Sequence, residues 1–495
     1  MKHKFKKIYL ISIIAILNIF PKSFADDSLN SNANQISKND DSAANLKNNS
    51  TDYAKNDETI DELKLDNTID VGAPGVKKIR MAIPLFALAD KSIPINNNEL
   101  SEYSKRLTSI FNFTNWFEFI PIDSMQSTQN VALQPFQISQ WKALKADFVI
   151  LGKFTKAKNP NRYNLELRLY DIKLQAQLIG KSYSNLSTKS TDLALRRFAD
   201  VSVAALTGTP GPFMSQIVFV GKKDQNSNGQ IFIADFDGGN LKQITEDKAV
   251  HISPNWSRDG TKIIYTSFKS GKPDIYIYNL LTKQETRAIS GSGNSSGANW
   301  SPDGNLIAFS ASTMDGSTHI FTTNKFGGNK KPFISTSAIE VEPAFSPNGK
   351  SIAYTSTKYG KPMIFVKDLS SGNTTRLTYA GWYNASACWS PDSKTIVFAS
   401  YDRDINLWDL FKIGSNGSGI ERLTLSQGDN EKPSFSPDGR FILFQSDRSS
   451  KGTRLGIHKL YYMSKDGSYQ KSLNIPIYES KQASWGPRIT QFEDE

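Results

Sequence analysis

The sequence predicts a mainly β protein: a six-bladed β-propeller, preceded by a smaller α/β domain with a mixed sheet. Three observations carry this: a recurring aromatic-Ser-Pro-Asp-Gly turn, a repeat length suited to one blade, and an incomplete repeat at each end of the array. The turn reads Trp300-Ser301-Pro302-Asp303-Gly304, then Phe345-Ser346-Pro347-Asn348-Gly349, Trp389-Ser390-Pro391-Asp392-Ser393 and Phe435-Ser436-Pro437-Asp438-Gly439. Trp256-Ser257-Arg258-Asp259-Gly260 is a looser copy and Trp485-Gly486-Pro487 a truncated one. Successive aromatic anchors are 44, 45, 44, 46 and 50 residues apart.

Each repeat has a physical rationale. Proline presets φ, Asp tolerates the bridge region, and Gly accepts the positive φ that closes a tight hairpin. A β-branched run such as Ile263-Ile264-Tyr265 follows, then an alternating strand such as Asp274-Ile275-Tyr276-Ile277-Tyr278, then a short fourth strand such as Thr375-Arg376-Leu377-Thr378. A lone blade cannot bury both faces, so the recurrent Trp or Phe is expected to pack against the neighbouring blade. Ile217-Val218-Phe219-Val220 reads as a second strand without an anchor, and Trp485 as a first strand without a successor. Joined, they complete a sixth blade and leave no open edge.

Ahead of the propeller (residues 212–490) the chain divides into three parts. Residues 1–25 read as a secretory signal, with a basic Met1–Lys7, an apolar Ile8–Phe20 and a cleavage point between Ala25 and Asp26. The apolar run is too short to span a bilayer comfortably, and no cysteine follows it for a lipid anchor, so an exported, soluble mature chain is expected. Residues 26–76 are a low-complexity segment, rich in Asn, Asp, Ser and Lys, with too little apolar surface to offset chain entropy. Residues 77–210 carry the α/β pattern: a strand from Ile79 to Phe86, and a helix capped by Asn98 with Leu100, Tyr103, Leu107 and Ile110 on one face. Strands at Phe117–Ile120 and Phe148–Gly152, a short helix at Ser139–Leu144, and strands through Leu165–Leu169 and Leu174–Tyr183 follow. A helix from Thr191 to Leu206 closes the domain. The short junction Thr207–Pro212 favours a fixed orientation between the domains.

Net charge is +11, but five lysines lie in the signal, and the remaining excess forms no basic block. Nucleic-acid binding is therefore not indicated. The single cysteine, Cys388, rules out an intramolecular disulfide and reads as a buried thiol. His251, His319 and His458 fall in different repeats without a metal-ligand pattern, so neither a metal nor a cofactor is expected. Gly293-Asn294-Ser295-Ser296-Gly297 satisfies G-x-S-x-G, but a Gly/Ser-rich inter-blade loop is not the strand-to-helix turn that motif needs. Trp408-Asp409 matches the WD dipeptide once only.

What remains is the ring of loops entering the first strand of each blade, around one mouth of the channel. They contain His251, Ser295-Ser296-Gly297-Ala298, Glu340-Val341-Glu342, Asn384, Glu431 and Glu479. Taken singly, each could be a solvated connector. As a ring of varied tips on a repeated frame, they suit protein recognition.

Beyond the repeats, Arg197-Phe198-Ala199-Asp200 and Leu206-Thr207-Gly208-Thr209-Pro210-Gly211-Pro212-Phe213 resemble the interdomain signature of the TolB family, periplasmic components of the Tol-Pal system. The resemblance covers the signal, the α/β domain and the propeller. It implies a monomeric, non-enzymatic adaptor in the periplasm. Such an adaptor binds the peptidoglycan-associated lipoprotein Pal at the propeller mouth and the inner-membrane protein TolA through an N-terminal peptide. It also supports outer-membrane integrity and constriction at division, with other outer-membrane lipoproteins as further partners. Mapped by motif, the Pal-facing set is His251, Ser295, Ser296, Gly297, Ala298, Glu340, Val341, Glu342, Asn384 and Glu431. The family often has His-Asn-Gly-Ala where this chain has Ser295-Ser296-Gly297-Ala298. The counterpart of the TolA peptide is Thr68-Ile69-Asp70-Val71-Gly72, an internal position from which strand addition is still feasible. Two rivals stand beside this: a periplasmic propeller enzyme (peptidase, lyase or glycan hydrolase) using Glu342 or Glu431, and a propeller that assembles outer-membrane proteins.

Overall fold

Proline and capping chemistry set the first elements of the α/β domain in the computed structural model, which describes residues 77–128, 131–291, 293–450 and 456–489. The expected signal with Ala25 and Asp26, the low-complexity segment, and Thr68 to Gly72 lie outside those residues. β1 (Ile79–Ala82) stops short of the expected Phe86, because Pro84 lacks an N–H and constrains the residue before it. β2 (Ala87–Leu88) follows separately. Helix α1 (Asn97–Asn112) is capped by Asn96, not Asn98, because only Asn96 has a glutamate three residues on. Asn96 Oδ1 accepts from the Glu99 N–H at 3.0 Å, and the Glu99 carboxylate accepts from the Asn96 N–H at 2.8 Å.

β3 (Phe117–Phe119), α2 (Ile138–Ala143), β4 (Phe148–Lys156), β5 (Tyr163–Asp171) and β6 (Ala176–Leu186) follow, and α3 (Thr188–Thr207) ends at Gly208 with φ 80°. The sheet order is β3-β1-β4-β5-β6, with β2 paired to β4. Pairing is parallel among β1, β3 and β4, and antiparallel from β4 through β6. One face packs Ile150, Leu165 and Leu167 under α1 and α3. The other packs Val149 and Leu151 against Trp141 of α2.

After the junction come β7 (Ser215–Lys222), β8 (Gln230–Asp235) and β9 (Lys242–Gln243), and then five complete four-stranded sheets. We number these blades 1 to 5, with innermost strands His251–Trp256, Ser295–Trp300, Glu340–Phe345, Tyr383–Trp389 and Asn430–Phe435. The final strand, Glu479–Arg488, pairs with β7, so blade 6 has the order final strand-β7-β8-β9 and joins both ends of the array. The aromatic anchors pack between blades. Trp389 Nε1 donates to the Ala344 carbonyl of blade 3 at 3.0 Å, and Trp256 Nε1 to the Ser484 carbonyl of blade 6 at 3.1 Å. Trp300 lies against Ile264, Ile275 and Ile277 of blade 1.

The α/β domain meets blades 5 and 6 at the end of the wheel bearing the Ser-Pro-Asp-Gly turns. Phe113, just past α1, stacks on Tyr462 at 4.0 Å, with Phe236, Phe441 and Trp485 edge-on around it. Asp200 of α3 accepts from the Phe213 N–H at 3.1 Å and from Arg488 at 2.6 Å. Arg106 of α1 bridges Asp192 and Asp237, each at 2.5 Å. The 197–213 run therefore supplies buried parts of this contact: Phe198, Asp200 and Phe213. Among the described residues no helix is long and apolar enough to cross a membrane.

Candidate functional site

The six innermost strands share one irregularity, three residues before the aromatic anchor. There the backbone is left-handed: Ser253 (φ 53°), Gly297 (63°), Glu342 (55°), Ser386 (57°), Lys432 (51°) and Gln482 (51°). At each, the ladder to the second strand shifts register, as a β-bulge does. The bulge releases a backbone N–H from its own sheet, and in four blades a side chain of the preceding blade receives it. Ser253 donates to Gln482 Oε1 at 2.9 Å, Glu342 to Ser310 Oγ at 3.1 Å, Ser386 to Glu342 Oε2 at 2.7 Å, and Gln482 to Gln445 Oε1 at 2.8 Å. The channel is thus laced from blade to blade by its own lining.

Glu342 is the centre of this lacing. Besides the Ser386 N–H, its carboxylate takes the ammonium of Lys432, two blades on. Burial by itself would raise the Glu342 carboxyl, but Lys432 and the Ser386 donors outweigh it and hold the group below its ordinary range. Burial would likewise lower Lys432, and Glu342 more than compensates. Glu431 differs: burial, opposed by Lys432 and reinforced by Asp429, pushes it up to about 7. Gln445 Nε2 donates to its carboxylate at 3.0 Å. The other acids of the mouth are also engaged. Glu340 meets His319 Nδ1 at 2.7 Å, Asp429 accepts from the Trp408 N–H at 3.0 Å, and Glu479 accepts from Lys481 at 2.9 Å.

The expected Pal-facing residues fall into two groups. Ser296, Gly297, Val341, Glu342 and Glu431 are half-buried along the innermost strands. His251, Ser295, Ala298, Glu340 and Asn384 are buried. The polar side chains of this second group tie the loops down: His251 Nε2 pairs with Asp247 at 2.9 Å, and Asn384 Nδ2 donates to the Ala380 carbonyl at 2.8 Å. Alternation along a strand turns these five side chains into the blade, and the exposed tips lie just upstream at Asn294, Ser337, Trp382 and Gln427.

Ser295 of the G-x-S-x-G match opens a strand, not a helix. Burial pushes the Cys388 thiol up to about 11, which disfavours the nucleophilic thiolate. Lys432, Gln445 and Gln482 complete the lacing; Lys432 and Gln482 fall in the mouth loops expected from the sequence, but Gln445 and the pairings themselves do not follow from it. The usable signal was positional, since each bulge residue keeps a constant offset from its anchor while its residue type varies.

Comparison with known proteins agrees with this architecture. Residues 203–489 match the family profile described as the TolB beta propeller domain, and residues 67–178 that of the TolB amino-terminal domain. The chain is 32% identical over 420 residues to the Tol-Pal system protein TolB of Bordetella pertussis, spanning 85% of this chain and 90% of that protein. This chain belongs to the TolB family. The Bordetella bronchiseptica TolB matches with the same identity and coverage. The crystal structure of TolB from Acinetobacter baumannii superposes with a TM-score of 0.70 at 25% identity, covering 83% of this chain and 97% of that one.

Proposed function

We propose that this protein is a periplasmic, non-enzymatic adaptor of the Tol-Pal system, binding Pal at the propeller mouth and TolA through residues 68–72. In that role it supports outer-membrane integrity and constriction at cell division. Family membership supports the general role, and one observation favours an adaptor over a propeller enzyme. At the channel mouth Glu342 is held by Lys432 and by the Ser386 N–H, which links three blades. A glycosidase or lyase needs carboxylates free to reach a substrate, whereas here the acids of the mouth are engaged with the frame. The accessible part of that end is its rim, which suits a protein partner.

Capture from a detergent-solubilised envelope tests the proposal. The full mature chain should recover both Pal and TolA, and deletion of residues 66–73 should abolish TolA capture while leaving Pal capture unchanged. Retained TolA binding by the deletion refutes the peptide assignment. Failure of the intact chain to recover Pal, or catalytic turnover lost on replacing Glu342 or Glu431, refutes the adaptor.

A further inference from the structure

The rim of the mouth is not chemically even. Where blades 3 and 4 meet, three aromatic side chains stand in solvent: Tyr359 is 62% exposed, Tyr379 72% and Trp382 41%. Cations lie over each of them. The Arg376 guanidinium is 4.8 Å from the Tyr379 ring centroid and 5.7 Å from that of Tyr359. Lys361 and Arg403 lie 4.5 Å and 4.6 Å from the Trp382 ring, and Lys358 lies 5.7 Å from Tyr359. These contacts form two clusters, Tyr379 with Arg376, Tyr359 and Lys358, and Trp382 with Lys361 and Arg403, and the turn that carries both Lys358 and Lys361 joins them along the chain. Ile405, 43% exposed, extends the apolar surface.

None of these four cations makes an ion pair among the described residues. Arg376 has only a hydrogen bond from Nε to the Thr378 carbonyl at 2.7 Å. Asp402 and Asp404 flank Arg403 in sequence, yet Asp402 Oδ1 instead accepts the Asp404 N–H at 2.9 Å. The mouth's interior behaves oppositely, with Lys432 and Lys481 each paired to a glutamate. A cation held over an aromatic face keeps its charge and its outward N–H donors while its position is fixed. Arg, Trp and Tyr, clustered on an exposed apolar patch, are also the residue types that dominate binding energy in protein interfaces. Because cations already cover ring faces, the rings are poorly placed to stack on a sugar, so the exposed chemistry selects for carboxylate.

We propose that this patch docks an acidic, partly apolar polypeptide segment, carried by the partner that seats on the mouth. The proposal rests on reading that end of the propeller as a protein-binding face. The probe is a fluorescein-labelled dodecapeptide alternating Asp with Leu and Tyr, titrated against the full mature chain by fluorescence anisotropy. Its control has Lys in place of every Asp. The acidic peptide should bind, the lysine peptide should not, and the Kd should rise steeply between about 50 and about 500 mM salt. Arg376→Glu/Arg403→Glu should weaken binding by about tenfold or more. Lys358→Glu/Lys361→Glu, both near a solvent-exposed turn, should do the same and decides the matter if the first variant unfolds.

Equal binding of the two peptides, an unchanged Kd in folded variants, or no binding of the acidic peptide to the wild-type chain overturns the proposal. So does binding of muramyl glycan fragments or anionic phospholipid vesicles in place of the peptide. Capture of Pal by the wild-type chain reports on the mouth separately, so failure here and failure of the adaptor reading give different patterns.

Discussion

At its turn end, the propeller repeats one hydrogen-bonded unit; at its mouth, it repeats a backbone and varies nearly everything attached to it. In blades 1 to 5 the turn serine hydroxyl donates to the Asp or Asn two residues on, at 2.5 to 2.7 Å, and accepts the N–H opening the second strand at 2.9 Å. At the mouth, six residues share a left-handed bulge, but their side chains are Ser, Gly, Glu, Ser, Lys and Gln. The uniform end is where the chain's own α/β domain is fixed. The varied end is left for something else. Constancy marks the part of a repeat that must satisfy its own backbone, and variation marks the part released from that duty.

The comparison predicts that the largest single-residue effect belongs to the turn end. Phe113 of the α/β domain fills an aromatic socket formed by blades 5 and 6, and its truncation leaves a cavity that Tyr462, Phe236, Phe441 and Trp485 cannot all close around. Phe113→Ala should cost about 3–5 kcal/mol. By calorimetry, the α/β domain and the propeller should then melt as two transitions instead of one. A single transition shifted by only a degree or two would mean that the interface is held by its ion pairs, Arg106 with Asp237 and Arg488 with Asp200, and not by the socket.

The same contrast explains what could be read from the sequence. The turn end was legible because its chemistry is local: Ser, Pro, Asp and Gly act within five residues, and the anchor follows from one blade's need for another. The closing blade was legible because two incomplete repeats at opposite ends complement each other. The mouth was legible only as a ring of loops. Glu342 meets Lys432 across 90 residues of sequence, and nothing in either segment announces the other. Likewise the buried state of His251, Glu340 and Asn384 depends on partners in neighbouring loops and strands. Within the α/β domain, Asn96, Asn97 and Asn98 are equivalent by type, and the capping box with Glu99 separates them. The rim patch assembles from two turns and an inter-blade loop, so its aromatics are dispersed along the chain.

Titration gives a second, smaller effect, this time at the mouth. Glu431 has a folded pKa of about 7, against an ordinary value of 4.5. Between those limits the folded state binds more protons than the unfolded chain, so this group makes stability fall as pH rises from about 4.5 to about 7, with no further change above. At about 1.4 kcal/mol for each pH unit, the decline is at most about 3 kcal/mol. Urea unfolding at about pH 5 and about pH 7.5 should show the wild-type chain losing stability over this interval, with the loss reduced in Glu431→Gln. Superimposable pH profiles for the two proteins would show that the mouth carboxylates are solvated well enough to titrate normally.

The smallest effect sharpens the comparison most, because it separates backbone from side chain at the mouth. Gly297 is the one glycine among the six bulge residues, and a Cβ placed there would meet nothing nearer than Ser310 Oγ at 3.9 Å. Its neighbours around the ring carry full side chains at φ values of 51° to 57°, so the frame accommodates them. Gly297→Ser should therefore cost only the left-handed strain, about 1 kcal/mol, read as a small drop in the thermal midpoint. A loss of several kcal/mol would mean that the bulge in blade 2 needs glycine for a steric reason, and that its variation around the ring is fixed by the fold. A loss near the strain alone would leave the residue type at each bulge free to follow the partner, as a recognition surface on a fixed frame requires.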